Sequence, residues 1–318
     1  MPEPALNPAR LDVGGQAVIE GVMMRAPRSL AIAVRKPSGE IVLKQDDWRS
    51  LSERLRFLKW PGLRGCVVFA EALINGLQAL SFSASQAGQT EEERLSPLAI
   101  AATMALGFGL AILLFVIVPH ALSGYLLALA GSGYGLQSMA FHLLDGLLKI
   151  GLFLAYVWGV SNLREVRRLF EYHGAEHKSI YAYEAGAELT VENARRYSRL
   201  HPRCGTSFIV LVMLVSILFF SGAFSLLPGA AEEGAWRSAP LMGAKILLMF
   251  PVAGLTYELI RYCSRHLERT WTRAVVQPGL WLQKITTREP SDDQLEIALA
   301  ALRSALAMER AKRELTVP

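Results

Sequence analysis

Residues 98–118 read LAIAATMALGFGLAILLFVIV, from Leu98 to Val118, with Pro97 before them and Pro119 after. These 21 residues carry no charge. A helix needs about 20 apolar residues to cross the hydrocarbon core of a bilayer, so the stretch predicts a membrane span. Ser207–Leu227 is a second charge-free run of 21 residues, between Thr206 and Pro228. Two further blocks are interrupted: Phe141–Val160 carries Asp145 and Lys149, and Pro240–Tyr257 carries Lys245. Asp145 and Lys149 stand four apart on one helix face, where each can neutralise the other. The expected fold is mainly α, a polytopic helical membrane protein with four transmembrane helices. A chain that is 52% hydrophobic yet 19% charged fits this alternation of apolar blocks and charged connections.

The basic residues orient the spans. Twelve Lys and Arg precede Leu98, none lies in Pro119–Ala140, and eight lie in Ser161–Thr206. Pro228–Ala239 holds only Arg237, and nine follow from Cys263 onward. Basic connections stay on the cytoplasmic side, so both termini are expected in the cytoplasm. The formal charge of +5 is then mostly a topology signal, with some attraction to anionic headgroups. No nucleic-acid-binding motif accompanies it, and no nucleic-acid partner is expected. Met1–Asp12 has no apolar stretch and predicts no secretory signal. Cys66, Cys204 and Cys263 are odd in number and widely spaced, which predicts reduced thiols.

Leu63–Ser85 is apolar but carries Glu71, Asn75 and Gln78 at helical spacing, a polar stripe. It predicts an amphipathic helix lying in the membrane interface, or packed on the other helices, since a crossing would place ten basic residues outside. Leu30–Val34 and Ile41–Lys44 flank Lys36-Pro-Ser-Gly39 and predict a β-hairpin. Ser291-Asp-Asp followed by Leu295, Leu299, Leu302 and Leu306 predicts a capped amphipathic helix docked on a partner or on the chain itself. The expected organisation is a cytoplasmic region with the hairpin at 1–62 and an interfacial helix at 63–97. A four-helix membrane domain follows at 98–262, with a cytoplasmic loop at 161–206, and then a cytoplasmic helical region at 263–318.

Chemistry concentrates in that loop. Apolar positions Leu163, Val166 and Phe170 continue as His173, His177 and Ile180, so a helix leaving the membrane turns two histidines onto its buried stripe. Histidines four apart lie one turn apart on one face, the spacing that lets both imidazoles reach one metal. Glu176 lies beside them, and His173-Gly-Ala-Glu176-His177 is the H-x-x-E-H order in which a glutamate serves as base. The alternative is a helix whose buried histidines are satisfied by carbonyl or carboxylate partners. Further on, His201-Pro-Arg-Cys204 offers a second ligand pair, with Pro202 holding His201 extended. Glu258 and Arg261 share a face at the inner end of the fourth span, either as part of the site or as an interfacial ion pair. Imidazoles with a thiolate favour zinc over magnesium or calcium.

The segments Gly14-Gly-Gln-Ala-Val-Ile-Glu20-Gly-Val-Met-Met-Arg25, Tyr172-His-Gly-Ala-Glu-His-Lys178 and His201-Pro-Arg-Cys-Gly-Thr206 together resemble the YqhQ-like family of bacterial membrane proteins. The resemblance covers most of the chain. That family is described as uncharacterised or as a predicted metal-dependent enzyme of the inner membrane. It implies a metal site at His173, Glu176, His177, His201 and Cys204, with Glu20 and Arg25 as further candidates. On their own residues Glu20 and Arg25 read as a structural turn. Lys178, Arg203 and Arg261 complete the supporting set.

Two functions follow as expectations. One is a zinc-dependent hydrolase at the cytoplasmic membrane interface, with Glu176 catalytic and His173, His177, His201, Cys204 and Glu258 as the ligand pool. Its substrate would be a lipid headgroup or a membrane-proximal peptide. The other is a non-catalytic scaffold or assembly factor with a closed structural zinc site. A transporter is the weaker reading, because Asp145, Lys149 and Lys245 are the charged groups within the spans.

Overall fold

A computed structural model describes residues 11–87, 96–131, 138–225 and 235–315. The chain opens with an antiparallel meander, β1 (Gly14–Val18), β2 (Gly21–Ala26), β3 (Ser29–Arg35) and β4 (Ile41–Asp47), in that order. The expected hairpin is β3–β4, with Arg35 opposite Ile41 and Gly39 at φ 87° in the turn. The other two strands were not foreseen. β1 and β2 are joined by a two-residue turn, Val18 lying opposite Gly21, with Glu20 at φ 52°.

Burial explains why β2 hides in the sequence, while β1, exposed at Gly14 and Gln16, is short and opens on two glycines. Val22, Met24, Ala31 and Ala33 face a core shared with Tyr172, Ala175, Leu295, Leu299 and Leu302. Met23, Leu30, Ile32 and Val34 on the other face pack with Val18, Ala79 and Phe82. A sheet covered on both faces loses the alternation of apolar and polar residues that marks a half-exposed strand.

Short helix α1 (Leu51–Arg54) and a 3-10 turn lead into α2 (Leu63–Gln86). Two residues of the polar stripe of α2, Glu71 and Asn75, meet the N-terminal region, while Gln78 stays exposed. Glu71 accepts from Ser50 Oγ at 2.9 Å and from the Leu51 N–H at 2.6 Å, and Asn75 is buried. At the other end α2 presses on α9 (Ala235–Arg265), where Gly65 faces Gly254 with no room for a side chain on either.

Among the described residues, four helices are long and apolar enough to cross a membrane: Leu63–Gln86, Leu98–Leu129, Met139–Val160 and Gly205–Gly222. Three carry expected spans, and the other is α2. The fourth expected stretch, 240–257, lies within α9, which is longer than expected at 31 residues. The first span also outruns its expected end. α3 (Pro97–Ile112) passes through a π-helical turn at Leu113–Ile117 into α4 (Val118–Leu129). Pro119 has no N–H to give and sits in the first turn of α4, so the helix continues past it. α5 (Met139–Val160) follows, with Lys149 Nζ 2.6 Å from Asp145 Oδ2. Leu106 and Leu218 are each 73% exposed, a surface that suits lipid and not water.

α5 stops at Val160, and α6 (Arg164–Ala185) starts afresh after Ser161-Asn-Leu163, so the expected continuous helix is two helices. Gly186, at φ 84°, ends α6. α7 (Val191–Arg195) is capped by Thr190, and α8 (Gly205–Ser225) begins directly after Cys204. α10 (Thr270–Thr286), inside the expected helical region 263–318 though not delimited in the sequence, crosses the start of α8, with Gly279 against Ser207. α11 (Asp292–Glu314) has the expected Ser291 cap, completed by Gln294. Its four leucines are buried against the sheet and α6, so α11 docks on its own chain. At roughly 2 kcal/mol for each buried leucine, this helix is part of the core.

Candidate metal centre

α6 is buried on nearly every side from Tyr172 to Ala182. β1 and α11 cover it, and so does the link from α10 to α11. That link explains Gly174, because a Cβ there would lie 2.0 Å from the Arg288 carbonyl oxygen. The Arg288 N–H donates to the Phe170 carbonyl at 2.8 Å, tying the link down on α6. Gly15 of β1 likewise leaves space for Glu176, whose Cγ would be 2.7 Å from an added Cβ.

Within this packing His173, His177 and Cys204 each offer a ligand atom, all within 4.8 Å of one another. His173 Nδ1 donates to the Thr286 carbonyl at 2.8 Å, and His177 Nδ1 donates to the Arg199 carbonyl at 2.5 Å. Thr286 lies at the C-terminal end of α10, where carbonyls lack partners within the helix. Holding both Nδ1 protons on carbonyls turns both Nε2 atoms inward, the arrangement that orients metal-ligating histidines. His173 Nε2 lies 3.2 Å from Cys204 Sγ, and His177 Nε2 has no hydrogen-bond partner among the described residues. Glu176 Oε2 is also buried without a partner. An orphaned imidazole nitrogen, a second imidazole and a thiol, converging in a buried spot, fit a soft divalent cation such as zinc.

The electrostatics agree. Burial alone would raise the Cys204 thiol, but His173 and His177 hold it well below its ordinary value as a thiolate. Burial would lower His173, and the Cys204 thiolate overrides it and raises the imidazole. Burial pushes the Glu176 carboxyl up, opposed by His173, His177 and the Ala17 backbone N–H.

The structure places the other candidates differently. His201 is next door, its ring 5.7 Å from that of His177, but its Nε2 faces Glu184 Oε2 at 3.2 Å. Glu184 also pairs with Arg203, which reaches Asp12 as well. Glu258 lies outside the ligand group and is held by both nitrogens of an Arg64 fork, because α2 packs on α9 there. Arg261 faces a cavity rather than the ligands. Lys178 spans to the Arg195 and Tyr197 carbonyls and to Glu289. Glu20 is clamped by Arg168 and Tyr172, and Arg25 stacks over Trp48, which makes both of them fastenings of the sheet.

Sequence reading missed Gln283, fully buried, which donates to the His201 carbonyl and to Ser207 Oγ while accepting from the His201 N–H. It missed Thr286 and Arg199 too, since both act through backbone carbonyls that any residue carries.

Fold and site together define a polytopic helical membrane protein with a buried His-His-Cys centre beside its apolar helices. The chain belongs to the family described as protein of unknown function (DUF1385), which matches residues 60–308 and so includes both ligand segments. It is also 31% identical over 310 residues to uncharacterized protein YqhQ of Bacillus subtilis (strain 168), across 93% of this chain and 92% of that protein. No solved structure matches it.

Proposed function

We propose that this protein is a metal-dependent hydrolase working at the cytoplasmic face of the bacterial inner membrane. The observation that carries the reading is the buried convergence of His173, His177 and Cys204 beside a carboxylate oxygen with no partner. A zinc ion held there would supply Lewis acidity for the activation of water. Three ligands rather than four would leave one position for it. Glu176 Oε2 is the group that takes the proton, and its raised pKa brings it toward the working range of a general base. Thr286 and Arg199 hold the imidazoles in register, and the α10–α11 link keeps bulk water out.

Chain parity supports the topology. The sheet, α6 and α11 share one core, so they stand on one side of any membrane. Three apolar helices separate β4 from α6, and only an even number of them can cross. α2 is the helix fastened to the sheet, through Ala79 and Phe82, and through Ser83 Oγ, which accepts from the Ile19 N–H of the β1–β2 turn. It is therefore the one that stays on that side, leaving α3–α4, α5, α8 and α9 as the crossings. The basic residues then put the sheet and α11 in the cytoplasm.

The reading is tested by replacing Glu176 with Gln and measuring zinc content beside complementation of a deletion strain. Zinc retained with function lost supports catalysis. Zinc retained with full function leaves a structural zinc clasp, the scaffold alternative.

A further inference from the structure

Beside Cys204 a cavity of about 770 Å³ opens between α2, α8 and α9. Its lining is graded. α9 contributes Tyr257, Ile260, Arg261 and Arg265, and at 1.5 Å per residue Tyr257 and Arg265 are about 12 Å apart along the helix. Toward the membrane end, Phe69 of α2 and Phe208 of α8 close the wall, ring to ring at 5.6 Å. Toward the loop end stand Arg203, Arg261 and Arg265. Glu184 and Asp12 already neutralise Arg203. Arg261 and Arg265 have no acidic partner within ion-pair distance among the described residues, and Glu258, whose carboxylate feels Arg261, is taken by Arg64.

We propose that this cavity binds one molecule of a membrane lipid with an anionic phosphate headgroup. The two free guanidinium groups match a phosphate in charge and in fork geometry. The aromatic and aliphatic end would cover the start of an acyl chain. A soluble phosphate ester would fill only the arginine end and leave that apolar wall uncovered. A zwitterionic lipid would bring its own cation to two arginines. Cys204 forms part of the wall, so the bound headgroup would lie next to the proposed zinc centre. That the lipid is a substrate rests on the hydrolase reading; that it binds does not.

The test uses the full chain purified in mild detergent, with native mass spectrometry reading retained lipid and elemental analysis reading zinc. Phosphatidylglycerol and phosphatidylcholine are offered at equal concentration, with inorganic phosphate and glycerol phosphate as soluble competitors. The expected result is about one retained phosphatidylglycerol, preferred by tenfold or more, and not displaced by either competitor. Arg261→Gln with Arg265→Gln should lower that preference about tenfold or more without changing zinc content. Ala72→Phe, which narrows the cavity from its α2 wall, should lose the lipid. Equal retention of the two lipids, or an undiminished preference in the folded double arginine variant, overturns the proposal. Displacement by glycerol phosphate overturns the lipid assignment in favour of a soluble ester. Lipid preference in a chain that holds no zinc would sink the hydrolase reading alone, and zinc without preference would sink this one alone.

Discussion

His173 Nε2 and Cys204 Sγ lie 3.2 Å apart although 31 positions separate them in the chain. The contact closes a loop that runs out along α6, through α7 and back to the foot of α8. If a cation is what this arrangement is for, the purified protein holds about one equivalent of zinc. His173→Ala or His177→Ala should strip it, and Cys204→Ser should weaken it. Elemental analysis of the wild type and the double histidine variant decides: full metal content in the double variant means the histidines are packing residues.

Glu176→Gln keeps the side chain's shape against Gly15 and removes its basicity. A general base contributes about 10²–10⁴-fold, so function should fall by that order while zinc and melting temperature hold. If the carboxylate instead steadies an imidazole, metal affinity should fall about 10–100-fold. The two outcomes are separated by a zinc titration run beside the complementation assay.

Without metal, His173 and Cys204 form an imidazolium–thiolate pair. His173 is raised above its usual 6.5, so its share of stability is complete below that value and is lost as pH rises through the raised value. Cys204 is depressed below 9.0, so its share is complete above 9.0 and is lost as pH falls through the lowered value. Both shifts describe one interaction, present between the two displaced values. The metal-free protein should show thiolate ultraviolet absorbance at neutral pH that Cys204→Ser abolishes. In His173→Ala the thiolate should appear only at higher pH, and an unmoved titration would break the pairing.

Gly174→Ala tests the close approach of the α10–α11 link. The added methyl would meet the Arg288 oxygen at 2.0 Å, and backbone cannot swing aside as a flexible side chain can. A loss of about 1–3 kcal/mol is expected, read as a lower melting temperature and faster zinc release. Gly151→Ala, at a position with open space, is the control. Equal behaviour of the two variants would show that the link is not seated on α6.

For topology, reporters fused after Ser132 and Glu233 should read external. Fusions after Glu93, Glu188 and Thr287 should read cytoplasmic. An external signal at Glu188 would reverse the site's side, and one at Glu93 would make α2 a crossing in conflict with the shared core of sheet and α6.

How far the sequence could be read followed the range of the forces involved. The apolar helices, the Ser291 cap and the four leucines of α11 show in local pattern. So did the pairing of His173 with His177, because it depends on helical period alone. Bringing Cys204 to them depends on where α7 and α8 turn, and the short spacing in His201-Pro-Arg-Cys204 pointed there. That same spacing favoured His201 as a ligand, whereas Glu184, one turn beyond Ile180 on α6, claims its ring. Glu258 was drawn away by Arg64, a partner 194 positions distant that no local pattern reveals. β2 was lost because packing on both faces erases its alternation, and β1 because five residues opening on Gly14-Gly15 carry little strand pattern.

The same sandwich sets an order of assembly. Ser29 Oγ donates to the Ala305 carbonyl at 2.7 Å, and the Arg28 N–H donates to Glu309 Oε2 at 2.8 Å. The strands leave the ribosome well before the helix that covers them. Until α11 emerges, one face of β2 and β3 lacks that cover while the intervening helices are being made. A chain cut short before Ser291 is thereby left with the apolar residues Val22, Met24, Ala31 and Ala33 without the helix that covers them.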